Sequence, residues 1–238
     1  MSDSPKLESI SYQDGETALT GWLARPAGSP RAAILIWPTI ANVGPAIEAR
    51  ALALAEQGYL AFIGDFYGAP VASFEASFPM AEKLRGDWDQ YRARLHAALS
   101  ALRALPGAEG LKVGVIGYCM GGQAALELAR DGADIAAAVS FHGVFGTEKP
   151  AAPGAVKARI LVLHGDADPL APRRAVIGLW EELDAAGANW HFHAYAGVRH
   201  GFTDPDSDAR GKDFLGYNTS ADRQSWAAML SFFDEVFA

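Results

Sequence analysis

One short stretch near the middle of the chain constrains the fold more than any other. Residues 113–118 form an apolar run typical of a strand that is buried on both faces. Glycines surround Cys119 directly afterwards, and residues 123–129 continue in a helical pattern rich in alanine and leucine. The stretch therefore predicts a buried strand, a tight turn at Cys119 and a helix immediately behind it.

This turn follows the pattern of a nucleophile elbow, Gly-x-Ser-x-Gly, with cysteine in the place of serine. It reads Gly117-Tyr118-Cys119-Met120-Gly121. The central residue of such a turn is held in strained dihedral angles, and the residues two before and two after it must be small because they approach closely. The N-terminus of the helix behind it favours a thiolate. A buried structural cysteine beside a glycine-rich turn is the alternative interpretation.

Composition argues against several classes of function. The chain has 238 residues, a formal net charge of −8 and no basic cluster larger than Arg173-Arg174, so a nucleic acid is not expected as a partner. Its single cysteine excludes an intrachain disulfide. The N-terminal residues lack the profile of a signal peptide, and no apolar run approaches the roughly 18 residues of a membrane span. We therefore expect a cytoplasmic protein that does not bind membranes.

The remainder of the chain alternates between strand-like and helix-like segments. Two short strands come first, at residues 8–13 and 18–25, with a turn at Asp14-Gly15. Residues 71–86 are predicted to be irregular with one short helix. The other predicted strands lie at residues 32–37, 59–64, 113–118, 135–141, 159–164 and 190–195. Helical patterns lie between them, except at residues 143–158, which are predicted to form a loop. This order predicts a single α/β domain over residues 1–238, with a mostly parallel sheet of about eight strands flanked by helices.

Three side chains with catalytic chemistry fall at the same predicted edge of this sheet. Cys119, Asp168 and His200 each lie directly after a predicted strand or in the loop beyond it, where such sheets bind ligands. A cysteine nucleophile needs a base, and the base needs an orienting group. We predict that His200 takes the thiol proton and that Asp168 orients the imidazole. Asp166, two residues earlier, is a rival for the second role.

Other residues near this edge are candidates for supporting roles. The backbone amides of Met120 and of a residue near Ile40, in the loop after the third strand, are predicted to form the oxyanion hole. His142 lies just past a strand and is expected to line the pocket. His191 and His193 have a spacing that can bind a metal, but they lack acidic or cysteine ligands nearby, so we predict no metal site.

These residues resemble the dienelactone hydrolase family of the α/β-hydrolase superfamily. The likeness implies an α/β-hydrolase fold, a triad of Cys119, Asp168 and His200, and hydrolysis of a small-molecule ester or lactone through an acyl-thioester enzyme. It also implies that no cofactor and no metal is needed. It covers nearly the whole chain, and its specific parts are residues 117–122, 165–172 and 199–202.

The chain departs from the founding members of that family at positions that handle the thiol and the substrate. Those enzymes have a thiol-activating acid after the third strand, whereas Thr39 stands there in this chain. His200 alone, or another acid such as Glu48, would then activate the thiol. Two arginines that hold a substrate carboxylate are replaced by Gly68-Ala69 and by Thr203-Asp204. We therefore expect a promiscuous carboxylesterase for small, neutral or short-acyl esters, with a specificity altered from that of the founding enzymes.

The pocket and the competing functions are less tightly specified. An acyltransferase that uses the same acyl-enzyme is one alternative, and a non-catalytic protein that binds a small ligand is another. The oligomeric state is not predicted. The candidate pocket residues are Thr39, Tyr67, Tyr118, His142 and Phe202.

Overall fold

The computed structural model describes residues 6–238 and has an α/β fold built on an eight-stranded sheet. The chain divides into two compact units, of which one ends at Val115 and the other runs from Ile116 to Ala238. This boundary falls inside the fifth strand, Val113–Tyr118, which is buried at every residue. The assignment of residues 1–238 to a single domain stays a prediction.

In the first unit, a hairpin leads into buried parallel strands. The elements are β1 (Leu7–Asp14), β2 (Thr17–Ala24), β3 (Ala33–Trp37), α1 (Pro45–Glu56), β4 (Leu60–Ile63), α2 (Phe74–Arg85), α3 (Trp88–Arg103) and β5 (Val113–Tyr118). Strands β1 and β2 pair antiparallel around Gly15, β2 pairs antiparallel with β4, and β3 pairs parallel with β4. The strand order is β1-β2-β4-β3-β5, and α1 packs on β2 and β4 while α3 packs on β1 and β3.

Helix α2 is longer than the sequence predicts. It runs for 12 residues although Pro79 lies inside it and removes one backbone donor. Ser73 caps its first turn, because its hydroxyl accepts a hydrogen bond from the amide of Ala76 at 3.2 Å. Basic residues in the last turn stabilise the C-terminal end of the helix, because they interact favourably with its dipole. The prediction of an irregular segment with one short helix was therefore wrong, because these terminal interactions outweigh the proline.

The elements of the second unit are α4 (Met120–Arg130), β6 (Ala137–Phe141), β7 (Arg159–Gly165), α5 (Arg173–Ala185), β8 (Trp190–Tyr195) and α6 (Thr219–Val236). Its strand order is β5-β6-β7-β8, in which β6 and β8 both pair parallel with β7. Helix α4 packs on β6, and α6 packs on β6 and β7. A short 3-10 helix at Asp208–Arg210 was not predicted. No helix within residues 6–238 has both the length and the apolar character needed to cross a membrane.

A buried ion network anchors the far end of helix α4. The Arg130 guanidinium lies 2.8 Å from a carboxylate oxygen of Glu127 and 2.8 Å from one of Glu182 in α5. It also donates to the carbonyl of Phe145 at 2.9 Å. The side chains of Glu127 and Arg130 are 0% and 1% exposed, so neither charge is left without a partner. The network therefore stabilises the position of the helix that begins directly after Cys119.

Candidate active site

The turn between β5 and α4 has the strand, turn and helix that the sequence predicts. Cys119 adopts φ 58° and ψ −117°, a conformation that non-glycine residues rarely occupy. A Cβ atom at Gly117 would overlap the carbonyl of Gly121, which explains the need for glycine in this turn. Cys119 is only half-buried. This exposure argues against the interpretation of the cysteine as a residue of the core.

Asp168 and His200 form a buried pair. His200 Nδ1 lies 2.7 Å from Asp168 Oδ2, and the two side chains are 2% and 0% exposed. Nδ1–H is the donor, because an ionised carboxylate can only accept. The other carboxylate oxygen accepts from the amide of Leu170 at 2.8 Å. The carboxylate is therefore held from both sides, and the imidazole has a defined orientation with Nε2 directed away from Asp168.

The rival acid, Asp166, is engaged elsewhere. Its two carboxylate oxygens accept hydrogen bonds from the Arg173 guanidinium at 2.9 and 2.7 Å. These hydrogen bonds lower the pKa of Asp166. The Arg173 side chain is 79% exposed, so this ion pair belongs to the surface. Of the two acids that the sequence left open, Asp168 is the one in contact with His200.

Close backbone contacts hold the loops of Asp168 and His200 together. The amide of Ala167 donates to the carbonyl of Val198 at 2.9 Å. A Cβ atom at Gly165 would overlap the same carbonyl, so the close approach requires glycine at that position. Beyond the loop, the amide of His200 donates to the carbonyl of Phe214 at 3.1 Å. Sequence reasoning missed these contacts, for which Gly165 is the one local signal.

The protonation state of His200 follows from opposing effects. Burial by itself would lower the pKa of His200, because it disfavours the charged ring. The negative charge of a Cys119 thiolate and the hydrogen bond to Asp168 outweigh burial and raise the pKa to about 10. His200 Nε2 makes no hydrogen bond of ordinary geometry within residues 6–238, so we attribute the effect of the sulfur mainly to its charge. While Cys119 carries its negative charge, the imidazole of His200 is therefore protonated at neutral pH.

His142 connects the cysteine turn to the loop of His200. Its Nδ1 accepts a hydrogen bond from the backbone amide of Cys119 at 3.1 Å, and its Nε2 lies 2.8 Å from the hydroxyl of Thr203. The centroid of its ring lies 5.2 Å from that of His200 and 5.2 Å from that of Phe202. The sequence placed His142 at this edge but held no signal for these contacts.

The other predicted site residues are divided between the two units. Tyr118 is buried with its ring centroid 6.0 Å from that of His142. Met120 is the first residue of α4, so its amide lies at the N-terminus of that helix. Thr39, Ile40 and Tyr67 belong to the first unit. Their roles in an oxyanion hole or a pocket stay predictions.

Hydrogen bonds within the first unit hold the loop after β3. The hydroxyl of Tyr67 donates to the carbonyl of Ile40 at 2.8 Å. The hydroxyl of Thr39 accepts from the amide two residues further on at 3.3 Å. Asn42 has φ 63°, and its side chain donates to Asp65 at 2.8 Å. The backbone of this loop is therefore fixed, and Thr39 acts within the loop as a neutral hydrogen-bond acceptor.

The paired histidines His191 and His193 lie on β8, the last strand of the second unit. Across residues 6–238, no group of three or more His, Cys, Asp or Glu side chains is placed to hold a metal ion. The ring centroid of His191 lies 6.2 Å from that of Phe232. Burial and, to a smaller extent, the nearby His191 lower the pKa of His193. This pair therefore has the environment of ordinary histidines on an outer strand.

Together, the fold and this arrangement define a class of protein. A mostly parallel sheet flanked by helices, a strained residue between a strand and a helix, and an Asp–His pair in later loops are the features of an α/β-hydrolase. The sequence model of the dienelactone hydrolase family matches residues 19–237. The chain belongs to the dienelactone hydrolase family and is a hydrolase.

Individual relatives agree with this assignment. The crystal structure of a dienelactone hydrolase-like promiscuous phosphotriesterase from metagenomic libraries is 31% identical, covers 99% of this chain and 100% of its own, and has a TM-score of 0.93. An uncharacterized protein of Caenorhabditis elegans is 37% identical over 150 residues, which are 62% of this chain and 94% of that protein. A carboxymethylenebutenolidase of Pseudomonas putida is 35% identical over 152 residues, which are 59% of this chain and 61% of that enzyme.

Proposed function

We propose that this hydrolase cleaves carboxylic esters or lactones through an acyl-thioester on Cys119. The observation that carries the proposal is the buried Asp168–His200 pair, in which the charge of Cys119 helps to raise the pKa of the imidazole. A thiolate beside this pair would favour the charged ring together with Asp168, and a thiolate is a strong nucleophile. The similarity to a carboxymethylenebutenolidase supports the substrate class.

The proposed reaction has two halves. In the first, the thiolate of Cys119 attacks the carbonyl carbon, and the amide of Met120 at the helix N-terminus stabilises the oxyanion. The imidazolium of His200 gives its proton to the leaving alcohol as the ester C–O bond breaks. In the second half, His200 takes a proton from water, the resulting hydroxide attacks the thioester, and the acid leaves as the thiolate reforms. Asp168 holds the ring in one tautomer throughout.

Small neutral esters are the substrates that we propose within this class. Gly68 has φ 66°, and a Cβ atom there would overlap the carbonyl of Ala18, so no arginine fits at that position. The carboxylate of Asp204 lies 2.7 Å from the guanidinium of Arg210, which gives that cation a partner within the protein. An arginine clamp contributes charge-assisted hydrogen bonds worth roughly 1.5–3 kcal/mol each. Its loss removes the advantage of an acidic substrate and supports an altered specificity.

The decisive experiment compares p-nitrophenyl acetate and butyrate turnover by the wild type and by Cys119→Ala. We expect kcat/KM to fall by at least about a thousandfold in the variant, because the nucleophile is lost. Mass spectrometry of a rapidly quenched reaction should find the acyl group on Cys119, the single cysteine of the chain. Equal rates for the two proteins, or an acyl group on another residue, would contradict the proposal.

Hydrolysis of phosphotriesters is a second candidate activity. It is favoured by the full-length structural similarity to a promiscuous phosphotriesterase. The thiolate of Cys119 would attack phosphorus, and the imidazolium of His200 would give its proton to the aryloxide as the P–O bond breaks. The neutral His200 would then take a proton from water, and the resulting hydroxide would cleave the S–P bond as the thiolate reforms. Release of p-nitrophenolate from a diethyl aryl phosphate by the wild type, absent in Cys119→Ala, is the expected result. Release that persists in Cys119→Ala would exclude the cysteine route.

A further inference from the structure

His142 contacts both halves of the proposed catalytic apparatus through one ring. It directly follows β6 and is only 1% exposed. Its Nδ1 accepts from the amide of Cys119 at 3.1 Å, and its Nε2 lies 2.8 Å from the hydroxyl of Thr203. We infer that His142 is a positioning residue that fixes the peptide of Cys119 relative to the imidazole of His200. The inference rests on the proposed role of Cys119 as the nucleophile.

The hydrogen bonds of His142 define a single tautomer. Because the amide of Cys119 can only donate, Nδ1 of His142 carries no proton. Nε2 therefore carries the proton of the neutral ring and donates a hydrogen bond to the hydroxyl of Thr203. Only the neutral imidazole in this form satisfies both contacts. His142 is thus suited to orient its neighbours rather than to exchange protons with a substrate.

The contact with Cys119 falls at the strained peptide. The amide of Cys119 is shared between the carbonyl of Phe141 at 3.1 Å, which continues the sheet, and Nδ1 of His142 at 3.1 Å. The second acceptor, His142, directly follows the last residue of β6. The residue whose amide it accepts from, Cys119, has φ 58°. Residues in such conformations persist only where their surroundings hold them. The imidazole of His142 supplies part of that restraint.

The other contacts of His142 lead to the base. Thr203 lies three positions after His200 in the same loop. The ring of His142 also meets that of His200 edge to face, with a centroid distance of 5.2 Å and an interplanar angle of 69°. A shift of the His142 ring would therefore displace the nucleophile and the base relative to each other. Misalignment of about 1 Å is enough to lower the rate of an enzyme by about a hundredfold.

Three substitutions of His142 test the two hydrogen bonds of its ring independently. In His142→Asn, the amide oxygen takes the place of Nδ1 and can still accept from Cys119, but the donor to Thr203 is lost. In His142→Gln, the amide nitrogen takes the place of Nε2 and can donate to Thr203, but the acceptor for Cys119 is lost. His142→Phe removes both. Asparagine also tolerates the positive φ of 39° at this position.

A second buried histidine provides the matched control. His164 in β7 is 1% exposed, and neither of its ring nitrogens has a hydrogen-bond partner within residues 6–238. Its ring packs between Phe145 and Phe192, with centroid distances of 5.6 and 5.5 Å. His164→Phe therefore replaces a buried imidazole without removing a hydrogen bond. It reports what the loss of such a ring does to folding alone.

The experiment measures kcat and KM for p-nitrophenyl butyrate, the rate of Cys119 alkylation by iodoacetamide, and thermal unfolding of all four variants. We expect His142→Phe and His142→Gln to lose about tenfold to a hundredfold in kcat with KM changed less than threefold. His142→Asn should recover most of kcat, and His164→Phe should keep the wild-type value. This order of kcat values, with His142→Asn far above His142→Gln, supports the inference.

Two results would overturn the inference. One is His142→Gln with a kcat equal to or above that of His142→Asn, since the bond to Cys119 would then be dispensable. The other is a folded His142→Phe with wild-type kcat and alkylation rate. If His142→Phe does not fold, the order of Asn and Gln still decides. If Cys119→Ala hydrolyses esters like the wild type, the proposed function fails, and the alkylation rates of the His142 variants judge the positioning role separately.

Discussion

Two buried aspartates, one in each unit, have similar sequence contexts and different partners. Asp65 comes shortly after β4 in the first unit, and Asp168 comes shortly after β7 in the second. They are 7% and 2% exposed. Each follows a buried apolar strand and precedes a loop, so the local pattern does not distinguish them.

The partners of Asp65 are all neutral donors. One carboxylate oxygen accepts from the side chain of Asn42 at 2.8 Å and from the amides of Tyr67 and Gly68 at 2.9 and 3.1 Å. The other oxygen accepts from the amide of Thr20 at 3.1 Å. None of these donors changes its charge near neutral pH. Asp65 therefore serves to hold its loop.

Asp168, by contrast, shares its carboxylate between one backbone amide and an imidazole. The amide belongs to Leu170, and the imidazole to His200. Because the imidazole titrates, the charge of Asp168 acts on a group that can move a proton. The comparison shows that the chemistry of the partner, rather than burial or the preceding strand, separates a structural carboxylate from one suited to catalysis.

The largest effect should come from Asp168→Asn. The asparagine would present the wrong group to Nδ1 and favour the other tautomer of His200. In a triad this change lowers kcat by about 10⁴-fold. Ester hydrolysis by the purified variant measures the loss, and circular dichroism verifies the fold. A decrease of less than tenfold in a folded variant would remove Asp168 from the proposed mechanism.

Asp65→Asn should act on stability instead. At least one of the four donors would face an amide nitrogen and lose its acceptor, which costs about 1–3 kcal/mol for a buried group. Urea unfolding measures this decrease in the free energy of unfolding. The kcat of the folded variant should stay within about threefold of the wild type, far from the value for Asp168→Asn. A collapse of kcat with unchanged stability would reverse the assignment of the two aspartates.

A third prediction concerns the pKa of His200. Its folded value of about 10 lies above the ordinary value of 6.5, so its contribution to stability is complete below about pH 6.5 and is lost as pH rises towards 10. Hydrolysis should decline over the upper part of this range as the imidazolium loses its proton. In Cys119→Ala the pKa should fall, because the charge of Cys119 is the largest of the effects that raise it. Nitrogen-15 NMR titration of the ring measures both values, and equal values would contradict an ion pair.

The smallest effect is expected for Asp166→Asn, which lies two residues from Asp168. Its ion pair with Arg173 is at the surface, where such pairs contribute little. Neither kcat/KM nor the melting temperature should differ measurably from those of the wild type. A loss of activity close to that of Asp168→Asn would show that the acid of the site had been assigned to the wrong residue.

Much of the fold could be predicted because its signals are local. Continuous apolar runs predicted β3, β4 and β7 within one or two residues of their observed ends. The apolar residues of α3 likewise recur at three-residue and four-residue steps, and Tyr91, Leu95 and Leu102 among them are buried. The exception is α2, which was predicted to be mostly irregular but forms a 12-residue helix capped by Ser73, with Pro79 inside it.

The candidate site likewise has features with local sequence signals and features that depend on distant contacts. The glycines around Cys119 are a local requirement of one tight turn, so the sequence predicts the strained conformation of the cysteine. The contact that distinguishes Asp168 from Asp166 is the hydrogen bond to His200, which lies far along the chain. The contact between His142 and Thr203 also joins distant segments. No pattern within a short window encodes such distances. They follow from how the loops pack on the sheet, so contacts across the chain had to be seen before these roles could be assigned.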